Sequence, residues 1–568
     1  MGIKWQDTLY AHHAYASHLR QALDQLVSEY TNSSPWKIEH GRRGRGQKKI
    51  APELMAPEDL ALYNAKDCRL TAKVWASPVF QADLATQIQV YEHDLCLAEL
   101  CSDMTYAGIQ IDHQRQKQIS SLLEISARGH IDRLIELSGD PAIGPNKTEN
   151  IRRVLYGKFG LKRTVFSERT GKPSTAKAVI EAIRVEDSDV GRFCNHLALA
   201  RELLKSKSTY VDFPVKGHKK EPPIVFKVLG NSGNWDPHGV RAHYQWGPRE
   251  RRNQATAGGG HTVSGRLASR LQSAPRYNRR NPADRVREIY VPRSKDHIFV
   301  YFDVKQGEPR VAAYLSGDPE RIKATLGDVH AANAKIMFPE IAAKGWLDGD
   351  AMKDPAKGKP VRDLAKTSGL AIDYFAEPET AQAYINSHRI DGDGKALFGV
   401  ISLRTVRLFI AKVRHRYRVY VAFVESNKKR VEELGYLDSP ILGRRRWLGW
   451  HPSITDVANY PIQSCLADVM NLRSLYLQGH ESFKTFMGKY PELCEKVGLP
   501  PRGACRPLDP RIQLVAQIHD SCIFDCPKSL ASKLQDKINL LWNAGIDLPG
   551  GRLVLPVDLK TGARLSDL

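Results

Sequence analysis

Residues 298–303 read Ile-Phe-Val-Tyr-Phe-Asp, and residues 514–524 read Leu-Val-Ala-Gln-Ile-His-Asp-Ser-Cys-Ile-Phe. The first stretch predicts an apolar strand that ends on a carboxylate, and the second predicts two apolar strands joined by a His-Asp turn. A lone buried charge is costly, so a carboxylate at each strand end needs a partner. If the two ends meet, Asp303 and Asp520 form a hard-oxygen site suited to a pair of magnesium ions in phosphoryl transfer.

The composition indicates a soluble multidomain protein with a polyanionic partner. A chain of 568 residues is expected to fold into about three or four domains. Its net charge of +21 favours binding to nucleic acid. Neither an apolar run of about 18 residues nor a signal-peptide core is present, so we expect no membrane span and a cytoplasmic location. Nine cysteines without a C-x-x-C pair fit a reduced compartment.

Helical periodicity dominates the first 255 residues. Residues 1–88 are mainly helical in pattern, apart from a basic, glycine-rich stretch at 41–49 that fits a surface loop or a DNA contact. Lys207, Ser208 and Thr209 at the end of this region could hold phosphates without reading bases, or could be an ordinary charged helix end. The helices predicted beyond residue 88 are Val90–Ser102, Arg115–Leu137, Asn150–Phe159, Ala176–Ile183 and Gly191–Ser206.

Several polar segments follow in a defined order along the rest of the chain. They are Thr262–Ser269 with Leu271–Pro275, Asp303–Arg310, Asp328–His330, Arg362–Tyr374, Gly443–Leu448, Asn459–Ser464 and Ile518–Ser521. A helix is predicted to start near Arg362. Its residues Arg362, Lys366, Leu370 and Tyr374 are spaced four apart, so they lie on nearly the same face of the helix. The ordered set resembles the DNA polymerases of family A, the group of bacterial DNA polymerase I and many phage replicases.

The resemblance implies template-directed addition of deoxynucleoside monophosphate to a primer 3′-hydroxyl, with release of pyrophosphate. It implies that Asp303 and Asp520 are catalytic and ligate two Mg²⁺ ions, and that Lys366 is also catalytic. The nucleotide-binding residues would be Gln306, Glu308, His330, Arg362, Lys366, Leu370 and Tyr374. The DNA-binding residues would be Lys207, Ser208, Thr209, Arg266, Gln272, Arg310, Arg445, Asn459, Gln463 and His519.

Some of these roles have a stated physical reason. Glu308 would close the sugar pocket against a 2′-hydroxyl and so select deoxynucleotides. Arg266 would reach the minor groove, where the acceptors are nearly the same for every base pair. The chain also departs from the family pattern at Pro309, which the first turn of a helix tolerates, and at Leu370 and Ser521, where the family has phenylalanine and glutamate.

The amino-terminal part resembles a proofreading exonuclease only at its end. Tyr63 and Asp67 match the last motif, Y-x-x-x-D, of the family's 3′–5′ exonuclease, and residues 7–12 resemble the segment before it. The earlier motifs would lie before Met1, and two side chains are too few to hold two metals. We therefore expect a partial exonuclease-like domain, either inactive alone or active with a separate upstream polypeptide.

The expected fold is α+β and multidomain, a right-hand polymerase with an antiparallel palm sheet and helical fingers and thumb, preceded by the partial exonuclease-like α/β domain. The expected domains are 1–88 for the exonuclease remnant, 89–255 for the thumb, 256–324 and 461–568 for the two parts of the palm, and 325–460 for the fingers. The expected partners of a monomer are primer–template DNA and dNTPs, in the cytoplasm of a bacterium or of a phage-infected host. An upstream exonuclease fragment or a processivity factor is a further candidate.

Two other functions remain open at this stage. A single-subunit RNA polymerase is favoured by Ser521 and opposed by Glu308. A non-catalytic DNA-binding protein with the same fold is opposed by the intact set of Asp303, Lys366 and Asp520.

Overall fold

A computed structural model provides the fold. It describes residues 6–17, 19, 23–33, 56–162, 166, 171–184, 188–212, 239–240, 266–267, 274, 282–354, 356–387 and 399–568. None of the helices in these ranges combines the length and the apolar character that a membrane crossing needs.

The described residues before position 88 form four helices. Asp7 begins the first helix by accepting hydrogen bonds from the backbone N–H groups of Leu9 and Tyr10, which are otherwise unsatisfied at a helix start. Aromatic rings form the core, where Phe80 packs edge-on against Tyr30 with the ring centroids 5.2 Å apart. The helices are α1 (Thr8–Tyr15), α2 (Leu23–Tyr30), α3 (Pro57–Trp75) and α4 (Pro78–Ala85).

The next region is built on long helices. Asp112 caps the longest of them through the N–H of Arg115, and Gly139 ends it in the left-handed conformation. These elements confirm the helices predicted from periodicity. They are α5 (Ile88–Ala107), β1 (Ile109–Ile111), α6 (His113–Ser138), α7 (Thr148–Arg153), α8 (Lys177–Ile183) and α9 (Asp189–Ser206), with π-helical turns at Val154–Lys158 and Lys207–Val211.

A small antiparallel sheet joins this region to the next. Strand β1 lies between β2 (Gly239–Val240) and β3 (Tyr290–Val291), and a 3₁₀ helix at Pro282–Ile289 leads into β3. The hydroxyl of Tyr290 donates to the backbone oxygen of Tyr210, which holds the end of the helical region against this sheet.

After β4 (His297–Val304) the chain forms a run of helices. Pro309 lies in the first turn of the first helix, as predicted, where a missing backbone N–H costs little. The helices are α10 (Gly307–Ser316), α11 (Pro319–Thr325), α12 (Val329–Met337), α13 (Pro339–Ala342), α14 (Lys359–Asp373), α15 (Pro378–Ser387), α16 (Leu403–Arg416) and α17 (Arg418–Leu434), with a 3₁₀ turn at Gly349–Lys353.

The carboxyl-terminal part alternates hairpins and helices. Its strands are β5 (Tyr436–Asp438), β6 (Arg445–Trp447), β7 (Gln513–Ile518), β8 (Ser521–Pro527), β9 (Ile546–Leu548), β10 (Gly551–Leu553) and β11 (Val557–Gly562). Its helices are α18 (Ile454–Gln478), α19 (Glu481–Lys489), α20 (Pro491–Lys496) and α21 (Ala531–Trp542), with 3₁₀ turns at Arg502–Ala504, Lys528–Leu530 and Leu565–Asp567.

Four of these strands form the central antiparallel sheet, in the order β11-β4-β8-β7. On β4, Phe299 and Phe302 are buried, whereas Asp303 is only half-buried. The ring of Phe302 lies 4.4 Å from that of Trp542 on α21, which covers one face of the sheet. Burying a side chain of this size stabilises the fold by about 1.5–3 kcal/mol, so the apolar residues fix the position of the carboxylate beside them.

Helix α18 packs against the first residue of α10, Gly307, through the side chain of Leu466. A Cβ atom on Gly307 would lie 2.9 Å from Cδ2 of Leu466, closer than side-chain atoms normally approach. Glycine at position 307 is therefore explained by packing.

A buried ion pair ties the amino-terminal helices to the β5–β6 hairpin. Both nitrogens at the end of Arg444 donate to the carboxylate of Asp94 on α5, at 2.9 and 2.6 Å. In the same contact, the indole N–H of Trp447 donates to the backbone oxygen of Tyr15. The two parts of the chain are therefore joined by a desolvated, bidentate interaction.

Candidate active site

The two predicted carboxylate-bearing strand ends are neighbours in the central sheet. Asp303 pairs with Ser521 on β8 and with Asp558 on β11, and the N–H of Val304 donates to the backbone oxygen of Asp520 at 3.0 Å. Asp303 and Asp520 therefore sit on adjacent segments at the same edge of the sheet. Both side chains are half-buried, so each can reach a ligand arriving from solvent.

Asp520 lies in a two-residue turn between β7 and β8. Such turns require a left-handed backbone at their first residue, and His519 adopts it with φ of +56°. Among the described non-glycine residues, the left-handed conformation occurs at Gln306, Phe375 and His519. All three lie within a few residues of a predicted site residue, and strained backbone of this kind concentrates at functional sites.

The donor chemistry at this edge fits magnesium. Mg²⁺ is commonly held by one or two carboxylates together with substrate phosphates, and Asp303 and Asp520 supply two such groups. The described residues contain no cluster of three or more histidine, cysteine, aspartate or glutamate side chains that could hold a metal without a substrate. Asp558 is ion-paired with Lys305 at 2.7 Å, and the Ser521 hydroxyl donates to the Ile518 oxygen.

Glu308, in the first turn of α10, accepts hydrogen bonds at both of its carboxylate oxygens. Arg266 donates to Oε1, and the Tyr374 hydroxyl donates to Oε2. Tyr374 directly follows α14, so Glu308 joins three distant segments of the chain. The predicted sugar gate is thus held by two partners from distant parts of the chain.

Helix α14 carries the predicted cationic face. Lys366 is exposed, and the guanidinium of Arg362 is paired with Asp328, the residue that caps α12. His330 lies in the first turn of α12. Partial burial lowers the pKa of His330, and the charges of Lys366 and Arg362 lower it further, which places the three groups in one electrostatic neighbourhood.

The amide of Gln306 is used within the chain. Its nitrogen donates to the backbone oxygen of Gly327 at 2.9 Å, and its oxygen accepts from the N–H of Val329 at 3.1 Å. Nearby, the guanidinium of Arg310 donates to the backbone oxygen of Lys305. Gln306 therefore fastens the start of α10 to the loop before α12.

Several predicted DNA-binding residues also make contacts within the chain. Lys207 is ion-paired with Asp212, and the exposed Ser208 hydroxyl donates to the backbone of its own helix, next to Thr209. Arg445 stacks on the Tyr436 ring, with its guanidinium carbon 3.7 Å from the ring centroid, and pairs with Asp438. Its role in binding DNA stays a prediction.

Asn459 and Gln463 lie one turn apart on α18 and are both half-buried. The side-chain oxygen of Asn459 is buried and accepts no hydrogen bond within the described part of the chain, so it can take a donor from a ligand. The ring of His519 is open to solvent on one side. The surrounding protein still desolvates it enough to lower the pKa of His519, and the nearby charge of Arg266 lowers it further.

Some predicted residues cannot be placed. Gln272, the segment at 262–265, the basic stretch at 41–49 and the side chain of Leu370 lie outside what the structure describes. Tyr63 and Asp67 are described, and they occupy adjacent turns of α3.

Sequence reasoning missed the contacts that complete the site. Asp328 was noticed only as the start of a motif, although an aspartate just before a helix is a recognisable cap signal. Its pairing with Arg362 spans 34 residues, and no local pattern predicts it. The left-handed backbone of Phe375 is also not indicated by any local sequence pattern.

Comparison with known proteins agrees with this geometry. A model described as DNA polymerase family A matches residues 113–344. The thermostable DNA polymerase I of Thermus thermophilus is 26% identical over 450 residues, which cover 77% of this chain and 44% of that protein. DNA polymerase I of Bacillus subtilis (strain 168) is 22% identical over 535 residues, which cover 91% of this chain and 49% of that protein. The chain thus spans about half the length of these relatives.

A solved structure extends the likeness to the fold. The POL domain of Pol1 from M. smegmatis, in complex with DNA primer-template and dNTP, aligns with a TM-score of 0.65 at 17% sequence identity. The alignment covers 99% of this chain and 82% of that one. The family model and the curated relatives agree: the chain is similar in sequence to DNA polymerases of family A and similar in fold to the POL domain of Pol1.

Proposed function

We propose that this chain is a DNA-directed DNA polymerase that adds deoxynucleoside monophosphates to a primer 3′-hydroxyl, in replication or repair. The observation that carries the proposal is the meeting of Asp303 and Asp520 at one sheet edge, which Gln306 connects by hydrogen bonds to the start of α12. Two magnesium ions held by these carboxylates would stabilise charge on the attacking and leaving oxygens of an in-line displacement.

The cationic residues are proposed to bind the triphosphate. Arg362 offers a planar set of donors that suits phosphate oxygens, and Lys366 offers a compact charge on a flexible stem. With His330 beside them, these groups would offset the negative charge of the triphosphate and of the departing pyrophosphate. Leu370 and Tyr374, further along the same face, would contact the sugar and the base.

Glu308 is proposed to exclude ribonucleotides. Its carboxylate is held from both sides, by Arg266 and Tyr374, so it cannot move aside at low cost when a 2′-hydroxyl enters. Arg266 would keep contact with the primer terminus through the minor groove.

The DNA path is proposed to follow the remaining polar residues. A net charge of +21 supports sequence-independent binding to phosphates. The residues proposed to contact primer or template are Lys207, Ser208, Thr209, Gln272, Arg310, Arg445, Asn459, Gln463 and His519. The regions would act as thumb, palm and fingers in the order expected from the sequence.

Primer extension with magnesium and dNTPs tests the proposal. Asp303→Asn and Asp520→Asn are each expected to lower the extension rate by about 1,000-fold, because several kcal/mol of charge stabilisation is lost, while binding to primer–template duplex is kept. Asp536→Asn, an exposed carboxylate on α21, is the matched control and should extend normally. Normal extension by either site variant would refute the assignment.

Two further arms of the assay address the remaining alternatives. Ribonucleotides supplied with a promoter and no primer should give no product, whereas synthesis under those conditions would support an RNA polymerase. A mismatched primer end should persist without trimming if Tyr63 and Asp67 lack a working exonuclease. Removal of the mismatch by the purified chain would contradict that part of the proposal.

A further inference from the structure

Asp328 divides its carboxylate between two tasks. One oxygen, Oδ1, accepts from the backbone N–H of Ala331 at 2.9 Å and so caps α12. The other, Oδ2, accepts from Nε of Arg362 at 2.9 Å and from the terminal nitrogen Nη2 at 2.7 Å. Burial raises the pKa of Asp328, but the bonds from Arg362 and Ala331 outweigh it and hold the pKa below its ordinary value.

This contact uses only one edge of the guanidinium. Arginine carries five N–H groups in a fixed plane, and the pairing with Asp328 engages the edge formed by Nε and Nη2. The opposite nitrogen, Nη1, lies 3.8 Å from Asp363, which is beyond hydrogen-bond distance. The edge formed by Nη1 and Nη2 is therefore presented as a pair of donors whose direction Asp328 fixes.

The loop that carries Asp328 is itself held. Gln306 binds the backbone on both sides of it, at Gly327 and at Val329. Gln306 lies three residues after Asp303, so a short connected path runs from the catalytic edge of the sheet to the guanidinium of Arg362.

We propose that Asp328 is a positioning residue for the incoming nucleotide, which aims the unused edge of Arg362 at the triphosphate. The inference rests on the proposed function and deepens it. A carboxylate near a triphosphate is unfavourable by itself, since like charges repel. Asp328 helps binding only through Arg362. Removing its charge should therefore weaken triphosphate binding when Arg362 is present and strengthen it when Arg362 is absent.

The primary test is Asp328→Asn, because asparagine keeps the size and the helix cap but removes the charge. In primer extension, KM for dNTP should rise about tenfold with little change in kcat, as expected when a charge-assisted hydrogen bond is weakened. Asp363→Asn is the matched control, since that carboxylate is near Arg362 but not hydrogen-bonded to it, and its KM should stay unchanged.

The second test repeats the substitution in an Arg362→Ala background. There Asp328 can only repel the triphosphate, so Asp328→Asn should lower KM instead of raising it. A residue that served only to cap α12 would leave KM unchanged in both backgrounds, because asparagine keeps the cap, and this outcome would overturn the inference.

Calorimetric titration of the full-length chain with inorganic tripolyphosphate gives a readout without catalysis. The affinity for tripolyphosphate should be lower in Asp328→Asn than in the unsubstituted chain. In the Arg362→Ala background, the same substitution should raise the affinity. Unchanged affinity and unchanged KM in Asp328→Asn would refute the role of Asp328. Failure of the unsubstituted chain to extend a primer would instead refute the proposed function, which separates the two results.

Discussion

The hydroxyl of Tyr374 donates a hydrogen bond to Oε2 of Glu308 and thereby joins the end of α14 to the first turn of α10. The other carboxylate oxygen is held by Arg266, so the position of Glu308 depends on two residues far from it in sequence.

Removing the Tyr374 hydroxyl should loosen sugar selection. In Tyr374→Phe the carboxylate of Glu308 loses one of two partners, and we expect incorporation of ATP relative to dATP to rise about tenfold, the effect of one hydrogen bond to a charged group. Glu308→Ala should raise it further. The measurement is the ratio of kcat/KM for the two nucleotides, and Tyr106→Phe, at an exposed tyrosine, serves as the control. An unchanged ratio in both site variants would remove the gate role.

Adding one methyl group at Gly307 should disturb the start of α10. The new Cβ would lie 2.9 Å from Leu466, so Gly307→Ala should destabilise the chain by about 1–3 kcal/mol through overpacking. Leu466→Ala creates space at the same point, and the double variant should recover part of the loss, measured as coupling in chemical denaturation. Strictly additive effects would contradict the packing explanation for this glycine.

Asp318 is expected to be a strong determinant of stability because it caps two helices at once. Its Oδ1 accepts from the N–H groups of Glu320 and Arg321, and its Oδ2 accepts from those of Val419 and Tyr420. Asp318→Ala should cost about 2–4 kcal/mol, since it leaves donors of both helices without a partner.

Hydrogen exchange gives a local measurement of that loss. Protection should fall in the first turns of both α11 and α17 in Asp318→Ala. Asp350→Ala, which alters a fully exposed side chain, should stay within about 0.5 kcal/mol of the unsubstituted chain. Loss of protection in one helix alone would argue against a shared cap.

Asp468 should make stability fall as pH rises towards neutrality. Burial raises the pKa of Asp468 to about 7, although Arg444 and the Ser439 hydroxyl act in the opposite direction. A carboxyl that binds its proton more tightly when folded contributes stability that is present below about pH 4 and is lost as pH rises through 7. We therefore expect the unfolding free energy of Asp468→Asn, relative to that of the unsubstituted chain, to rise by at most about 3 kcal/mol from pH 5 to pH 8. Chemical denaturation of both chains gives this difference, and an equal difference at pH 5 and at pH 8 would contradict the prediction.

Much of the framework could be predicted because it depends on local patterns. Apolar periodicity located the long helices, and the run from 514 to 524 identified the hairpin with His519 and Asp520 at its turn. The four-residue spacing that ends at Tyr374 matches α14. Each of these signals lies within about 20 consecutive residues.

The contacts that fix side-chain positions could not be predicted in this way. Arg444 and Asp94 are 350 residues apart, and either residue alone is an ordinary charged side chain. Arg445 is predicted to bind DNA, and the structure shows that it and its neighbours Arg444 and Arg446 are each ion-paired within the chain. Such pairs depend on which elements pack together, and that information exists only in the folded chain.

The Arg444–Asp94 pair also limits how this chain can be divided for study. A fragment starting beyond residue 94 would keep the arginine and discard the carboxylate of Asp94, which accepts two hydrogen bonds from this buried guanidinium. Breaking such a pair typically costs 3–5 kcal/mol, which is a large share of the stability of a domain. Expression boundaries for an isolated catalytic unit should therefore be placed before α5.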